Sequence, residues 1–327
     1  MGVIRRQSIQ TSILSYLGIG IGYVNVVLLF PAFFEPEQFG LTRVLVAITG
    51  IASQLALFGL TNGIIRFFPR FREGDEERYH GMLGLALRIG LVGFLVVGLV
   101  LWLAGPLIEA QYQEKSTLLG QFYFLLFPFL LFEIWFHILA SFTRALFQAV
   151  INVFFRDVFV RLSTMVIIVL YHHGLLDFQQ FMWAFVGQYA LLSLGLMVYL
   201  QRMNRFSLRL DTAFYTPQLK KEMFHYGAFT LFSNVSAYFL MSIDILMVGS
   251  MVGLGSTAFY AVAFYIAALL NVPRTALNSI SIPIISDAWK KDDQEAIQRI
   301  YSKTSINQLF IGTLLFAGIW ANEHNIF

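Results

Sequence analysis

A few polar residues set within long apolar runs are the part of this sequence able to do chemistry. A charge held at the middle of a bilayer costs ~2.5–3.5 kcal/mol on insertion scales, so a guanidinium or carboxylate kept there is either paired or borders water. Asn271, Arg274 and Asn278 recur at three and four residues beside Pro273, which gives one polar stripe down a helix face. Asn234, Met241 and Asp244 share a face of the preceding apolar run. Either these two faces line a hydrated cavity, or Asp244 neutralises a basic neighbour in a buried structural pair. Arg43 and Gln54 fall on nearly the same face of an earlier run, with Asn62 and Arg66 continuing close to it. Arg43 then joins a cavity wall or snorkels to the outer interface, and Arg66 snorkels to the inner one. Asn25 joins them or bonds a neighbouring helix.

Glu133, His137 and Arg144 stand at i, i+4 and i+11 on one face. Such a set is either a proton-coupling site, because histidine titrates near neutral pH and a carboxylate shifts it, or an interhelical clasp. Asp157 and Arg161, at i and i+4, most simply make a local ion pair. His172 and His173 fall in a loop where solvated side chains are expected.

The elements that must position these residues are membrane helices. Of 327 residues, 57% are hydrophobic and only 13% charged, against roughly a quarter charged in soluble domains. Mean hydropathy is +0.69. A water-soluble globule and a disordered chain are both excluded, and without cysteine there is no disulfide scaffold. A span needs about 20 apolar helical residues. Runs of that kind lie near 12–34, 42–65, 81–103, 118–141, 158–173, 181–200, 226–250, 257–280 and 305–321, nine in all. The first follows Arg5 and Arg6 but is too long for a signal-peptide core, so it is read as a retained helix.

Basic residues fall in short packets between these runs rather than on one patch, which argues against a nucleic-acid partner. With the N-terminus inside, seventeen Lys and Arg lie in inner connections, among them Arg66, Arg70, Arg72, Arg78, Arg144, Arg156, Lys220 and Lys221. Only Arg43 and Lys115 are left outside, so an N-terminus on the cytoplasmic side of the inner membrane is expected.

No GxxxxGK[ST] loop, HExxH pair or cysteine set is present, and no paired carboxylates suit glycosyl transfer. Neither cofactor nor metal is expected, and the chain does not read as an enzyme. The first three and last three runs share a layout. Gly40 and Pro69 are 29 residues apart, Gly255 and Pro283 are 28, and a charged stretch follows each proline. This suggests parallel repeats of six helices. The ninth run ends at an interface sequence, Trp320 to Phe327, and an odd number of spans leaves the second repeat incomplete, so a truncated second half is expected.

The stretch Phe34-Glu35-Pro36-Glu37-Gln38-Phe39-Gly40, followed by Arg66-Phe67-Phe68-Pro69, resembles the opening of polysaccharide flippases in the multidrug/oligosaccharidyl-lipid/polysaccharide exporter superfamily. Ser242-Ile243-Asp244-Ile245-Leu246-Met247-Val248-Gly249, with Gly255-Ser256-Thr257-Ala258-Phe259-Tyr260 after it, is similar to that family's junction of helices seven and eight. The resemblance implies two six-helix lobes, here residues 1–205 and a truncated 215–327, around a central cavity. It also implies a flippase that carries a polyprenyl-linked oligosaccharide across the membrane for cell-surface polysaccharide, lipopolysaccharide included. Membrane lipid and polysaccharide-assembly proteins are the partners implied. Arg274, Asn271 and Asn278, with Arg43, would meet diphosphate and sugar. Asp244 and then Glu133 would couple an ion. Two alternatives remain: a drug or organic-cation antiporter of the same superfamily, and a membrane-embedded polysaccharide polymerase or ligase.

Overall fold

The computed structural model describes residues 2–72, 79–113, 116–209, 214–269 and 292–322, with 273, 281, 284–285 and 288–289 between them. Every regular element among the described residues is helical. Helix α1 (Gly2–Tyr23) runs on through a π-helical segment, Val24–Leu29, to Phe33. Helices α2 (Pro36–Leu57) and α3 (Leu60–Arg72) form the second crossing, and α4 (Met82–Gln113) the third. Helix α5 (Leu126–Ala145) is the fourth. The fifth is assembled from Ala149–Val153, a second π-helical segment Phe154–Phe159, and α6 (Val160–His172). Then come α7 (Phe178–Arg202), α8 (Pro217–Met251), α9 (Leu254–Leu269) and α10 (Gln294–Ala321).

Local sequence explains the boundaries. Phe34 is extended, Glu35 is an N-cap whose backbone N–H donates to Gln38 Oε1 at 3.2 Å, and Pro36 takes the first helical position, where no N–H is needed. The motif that carries the family resemblance is thus a helix start. The second crossing is broken where Phe58 and Gly59 turn to φ of 48° and 68°, a left-handed pair that ends α2 before α3 restarts. Asp177 and Thr216 cap α7 and α8 through Gln180 N–H at 2.7 Å and Leu219 N–H at 3.2 Å.

Among the described residues, seven helices are long and apolar enough to cross a membrane. The nine expected runs differ from them in two places. The fifth is not one of the seven: its helix begins near Ala149 rather than at 158 and carries Arg156, Asp157 and Arg161 within it. The eighth is described only as the short apolar helix α9. Pro283 and most of the charged stretches of the repeat lie outside the described residues.

Helix α5 is the hub, packed against α2, α3, α4 and α7, with Phe129, Leu130, Ile134 and Ile138 fully buried. Helix α1 packs on the Phe154–Phe159 segment, and Val24–Leu29 packs on α6. Rings close one end of this bundle: Phe30 stacks on Phe39 at 4.6 Å, Phe34 on Tyr171 at 4.4 Å, and Phe181 meets Phe34 at 4.6 Å. Helix α8 lies along α2 and reaches α3. A Cβ on Gly40 would collide with the Leu254 carbonyl, so glycine is what lets the start of α9 approach α2. On α4, Leu91, Val92, Leu95, Val96 and Leu99 form an exposed apolar stripe suited to hydrocarbon. The described residues fall into two compact units, Met1–Ala261 and Val262–Phe327. In the second, Ser281 and Thr304 hydroxyls lie 3.3 Å apart.

Candidate functional site

Two clusters of polar residues in the first unit lie in a seam along α1, α5, α6 and α7. The first cluster centres on Glu133, half-way along the hub and 5% exposed. Arg156 donates from Nη1 to Glu133 Oε2 at 3.1 Å, and His137 Nε2 lies 3.5 Å from the same oxygen. The side chains remain 37% accessible at Arg156, 16% at His137 and 7% at Glu133, so the cluster is open on the arginine side. The Arg156 guanidinium also lies 5.5 Å over the ring of Phe136, and Tyr238 of α8 presents its edge to His137 at 6.4 Å.

This differs from the expected set of Glu133, His137 and Arg144. Arg144 donates to Ser141 Oγ at 3.0 Å, one turn away on its own helix. Its place is taken by Arg156, which the sequence reading put in an inner connection. The reason is the early start of the fifth crossing, which lifts Arg156 about two turns into the bundle.

The second cluster surrounds Asp157 and Arg161. The expected pair between them is not made; Asp157 lies in the π-helical segment that packs against α1. Asp157 Oδ2 instead accepts from Ser15 Oγ at 2.8 Å. Asn25, 3% exposed in the first π segment, donates to the Arg161 carbonyl at 2.7 Å, so it bonds a neighbouring helix. Gln188, 2% exposed, accepts from Ser163 at 2.5 Å and from Thr164 at 3.1 Å. Asn25 Oδ1, Arg161 Nη1 and Gln188 Nε2 are buried with no hydrogen-bond partner among the described residues. Leaving such atoms unmatched costs about 1–3 kcal/mol each, so the seam carries two unmatched donors and an unmatched acceptor.

Arg43 is half-buried, its guanidinium carbon 5.2 and 5.0 Å from the ring centres of Phe30 and Phe39. Gln54 is 4% exposed on the same helix, roughly 16 Å further along its axis at 1.5 Å per residue, so the two do not meet. Asn234 Oδ1 accepts from Asn62 Nδ2 at 3.1 Å and ties α8 to α3. Asp244 Oδ2 accepts from the Tyr260 hydroxyl at 3.0 Å; among the described residues that is a hydroxyl partner, not the basic one considered for it. His172 stacks on Phe33 at 4.0 Å at the end of α6, and both it and His173 are exposed. Asn271, Arg274 and Asn278 lie outside the described residues. Among the described residues no group of three or more His, Asp or Glu could hold a metal ion.

Comparison with known proteins places this arrangement. The family described as polysaccharide biosynthesis protein matches residues 4–289. Among solved structures the chain is similar to an inward-facing multidrug resistance MATE family transporter of the MOP superfamily. The TM-score is 0.71 at 16% identity, covering 96% of this chain and 71% of that one. No curated protein sequence matches. A likeness at that identity speaks to fold, and the fold is that of the superfamily already suggested by the helix start at Phe34–Gly40. The chain belongs to the polysaccharide biosynthesis protein family and has the membrane-helical fold of the exporter superfamily.

Proposed function

We propose that the protein is a flippase that carries a polyprenyl-linked oligosaccharide from the inner to the outer leaflet of the cytoplasmic membrane. The carrying observation is the polar seam with its accessible side: Arg156 remains 37% exposed within the bundle, and Arg161, five residues on in the chain, has a buried nitrogen with no hydrogen-bond partner among the described residues. A diphosphate-sugar headgroup needs a hydrated cationic lining with spare hydrogen-bonding groups, whereas its isoprenoid tail can stay in lipid. Family membership supports a role in polysaccharide assembly, and the fold suits alternating access.

On this reading the lobes are residues 1–205 and 215–327, and the N-terminus faces the cytoplasm. Arg43, Asn25, Gln54, Asn234, Arg274, Asn271 and Asn278 are the candidate substrate residues on this reading. Glu133 with His137 is the first place to seek proton coupling, and Asp244 is the second. The test is reconstitution of the chain in vesicles with a fluorescent polyprenyl-diphosphate oligosaccharide, scored by exposure of the sugar to an external lectin or oxidant. Exposure that depends on the protein and falls in Arg274→Ala at normal insertion supports the proposal. Failure to move the lipid, with efflux of an organic cation in its place, rejects it in favour of an antiporter.

A further inference from the structure

Away from the seam, the end of α3 and the beginning of α8 enclose an open cavity of about 560 Å³ lined by Arg66, Phe67, Arg70, Glu222, His225 and Tyr226. We propose that this cavity binds the phosphate headgroup of a membrane lipid, with Arg66 and Arg70 as the anion-binding pair and Glu222 as a built-in competitor.

Spacing puts both guanidiniums on one face, since 66 and 70 are one turn apart. They are held differently. Arg66 lies 4.8 Å over the ring of Tyr226 and has no carboxylate within ion-pair distance among the described residues. Arg70 donates from Nη1 to Glu222 Oε2 at 2.6 Å, and Glu222 Oε1 accepts from Gln218 at 3.3 Å. Phe67 meets Tyr226 edge-on at 5.8 Å and stiffens the floor. His225 has Nδ1 bonded to the Lys221 carbonyl at 2.8 Å.

Depth selects the kind of ligand. At 1.5 Å per residue the lining residues of α3 lie about 3–9 Å from Arg72 and those of α8 about 8–14 Å from Pro217, a position near the ends of both helices that suits a headgroup. Exposed Ile65 and Phe224 lie beside it, where a lipid's hydrocarbon begins. Two arginine forks at that level match a phosphate ester, and basic pockets between helices are a recognised way to hold lipid phosphates. Glu222 holds the Arg70 fork that a phosphate oxygen would take.

This assignment separates two side chains that a merely structural clamp would make equivalent. The purified full chain in maltoside micelles is titrated with dioctanoyl phosphatidylglycerol, with farnesyl diphosphate, and with dioctanoylglycerol as the phosphate-free control, and binding is read by native mass spectrometry. Binding of the phosphorylated probes over dioctanoylglycerol is expected. Arg66→Gln should weaken it about tenfold, and Glu222→Gln should tighten it about threefold. A melting curve accompanies each variant, and Arg66→Lys, which keeps the charge and loses the fork, replaces Arg66→Gln if that variant fails to fold. Phosphatidylglycerol displacing farnesyl diphosphate assigns the cavity to a bilayer lipid; the reverse assigns it to an isoprenoid carrier, and either result upholds the phosphate site. Equal binding of dioctanoylglycerol, indifference to Arg66→Gln, or weakening by Glu222→Gln in parallel with Arg66→Gln overturns it.

Discussion

Glu133 and Arg156 meet at 3.1 Å across 23 residues of sequence, one from the hub helix and the other from the π-helical turn within the fifth crossing. Neither would be held inside the bundle alone at low cost. Together with His137 they make an ionisable cluster with one accessible side.

Removing the cation tests that pairing. Arg156→Gln leaves Glu133 buried without its counter-charge and should destabilise the protein by about 2 kcal/mol, between the costs known for exposed and buried pairs. The double change Arg156→Gln with Glu133→Gln should restore most of the melting temperature and leave lipid flipping lost. Recovery of flipping in the double variant would make the cluster purely structural.

Coupling is a separate matter. If Glu133 carries a proton during the cycle, Glu133→Gln should flatten the dependence of transport on an imposed pH gradient while Asp244→Asn keeps it. The opposite outcome transfers the role to Asp244, whose described partner is the Tyr260 hydroxyl. The measurement is flipping rate in vesicles at several gradients, with sodium present and absent.

The Asn25 bond to the Arg161 carbonyl is buried and crosses between two helices. Asn25→Leu should therefore lower stability by about 1 kcal/mol through the lost hydrogen bond, with a further penalty if the bulkier group crowds the seam. Thermal unfolding followed by tryptophan fluorescence checks it, and an unchanged midpoint would show that the bond contributes nothing.

Gly40 offers a packing test. Gly40→Ala drives a methyl group into the Leu254 carbonyl and must push the start of α9 away from α2. A loss of about 1–3 kcal/mol is expected, seen as reduced detergent-solubilised yield and a lower melting midpoint. Gly20→Ala, where a Cβ meets nothing within 4 Å, is the matched control and should behave as wild type.

Most helices were legible because hydrophobic length and charge at the flanks are one-dimensional signals. The capping chemistry at Glu35 and Gln38 could likewise be read as a chain segment. The seam was less so. Helical periodicity assigned Glu133 and His137 to one face, and the structure keeps them together. It failed at Asp157 and Arg161, because the carboxylate is taken by Ser15 of another helix, a partner that spacing along one helix does not show. Arg156 was misplaced for another reason: a charged residue two turns from a helix start looks like a loop residue when apolarity alone sets the boundary. Arg43 lies against Phe39, one turn away on α2, and against Phe30 of the neighbouring crossing; only the second contact is hidden from spacing rules within α2.

The wide turns at Val24–Leu29 and Phe154–Phe159 give the two crossings that flank the seam an adjustable phase. Each stores slack that a regular helix lacks, so taking up one residue there rotates everything on one side by about 100° while the crossing stays helical. Ser15 would swing away from Asp157, or Arg156 away from Glu133, with no hinge and no break in the backbone ladder. Length changes of a single residue at these two places are consequently compatible with insertion into the membrane and incompatible with the alignment of side chains inside it.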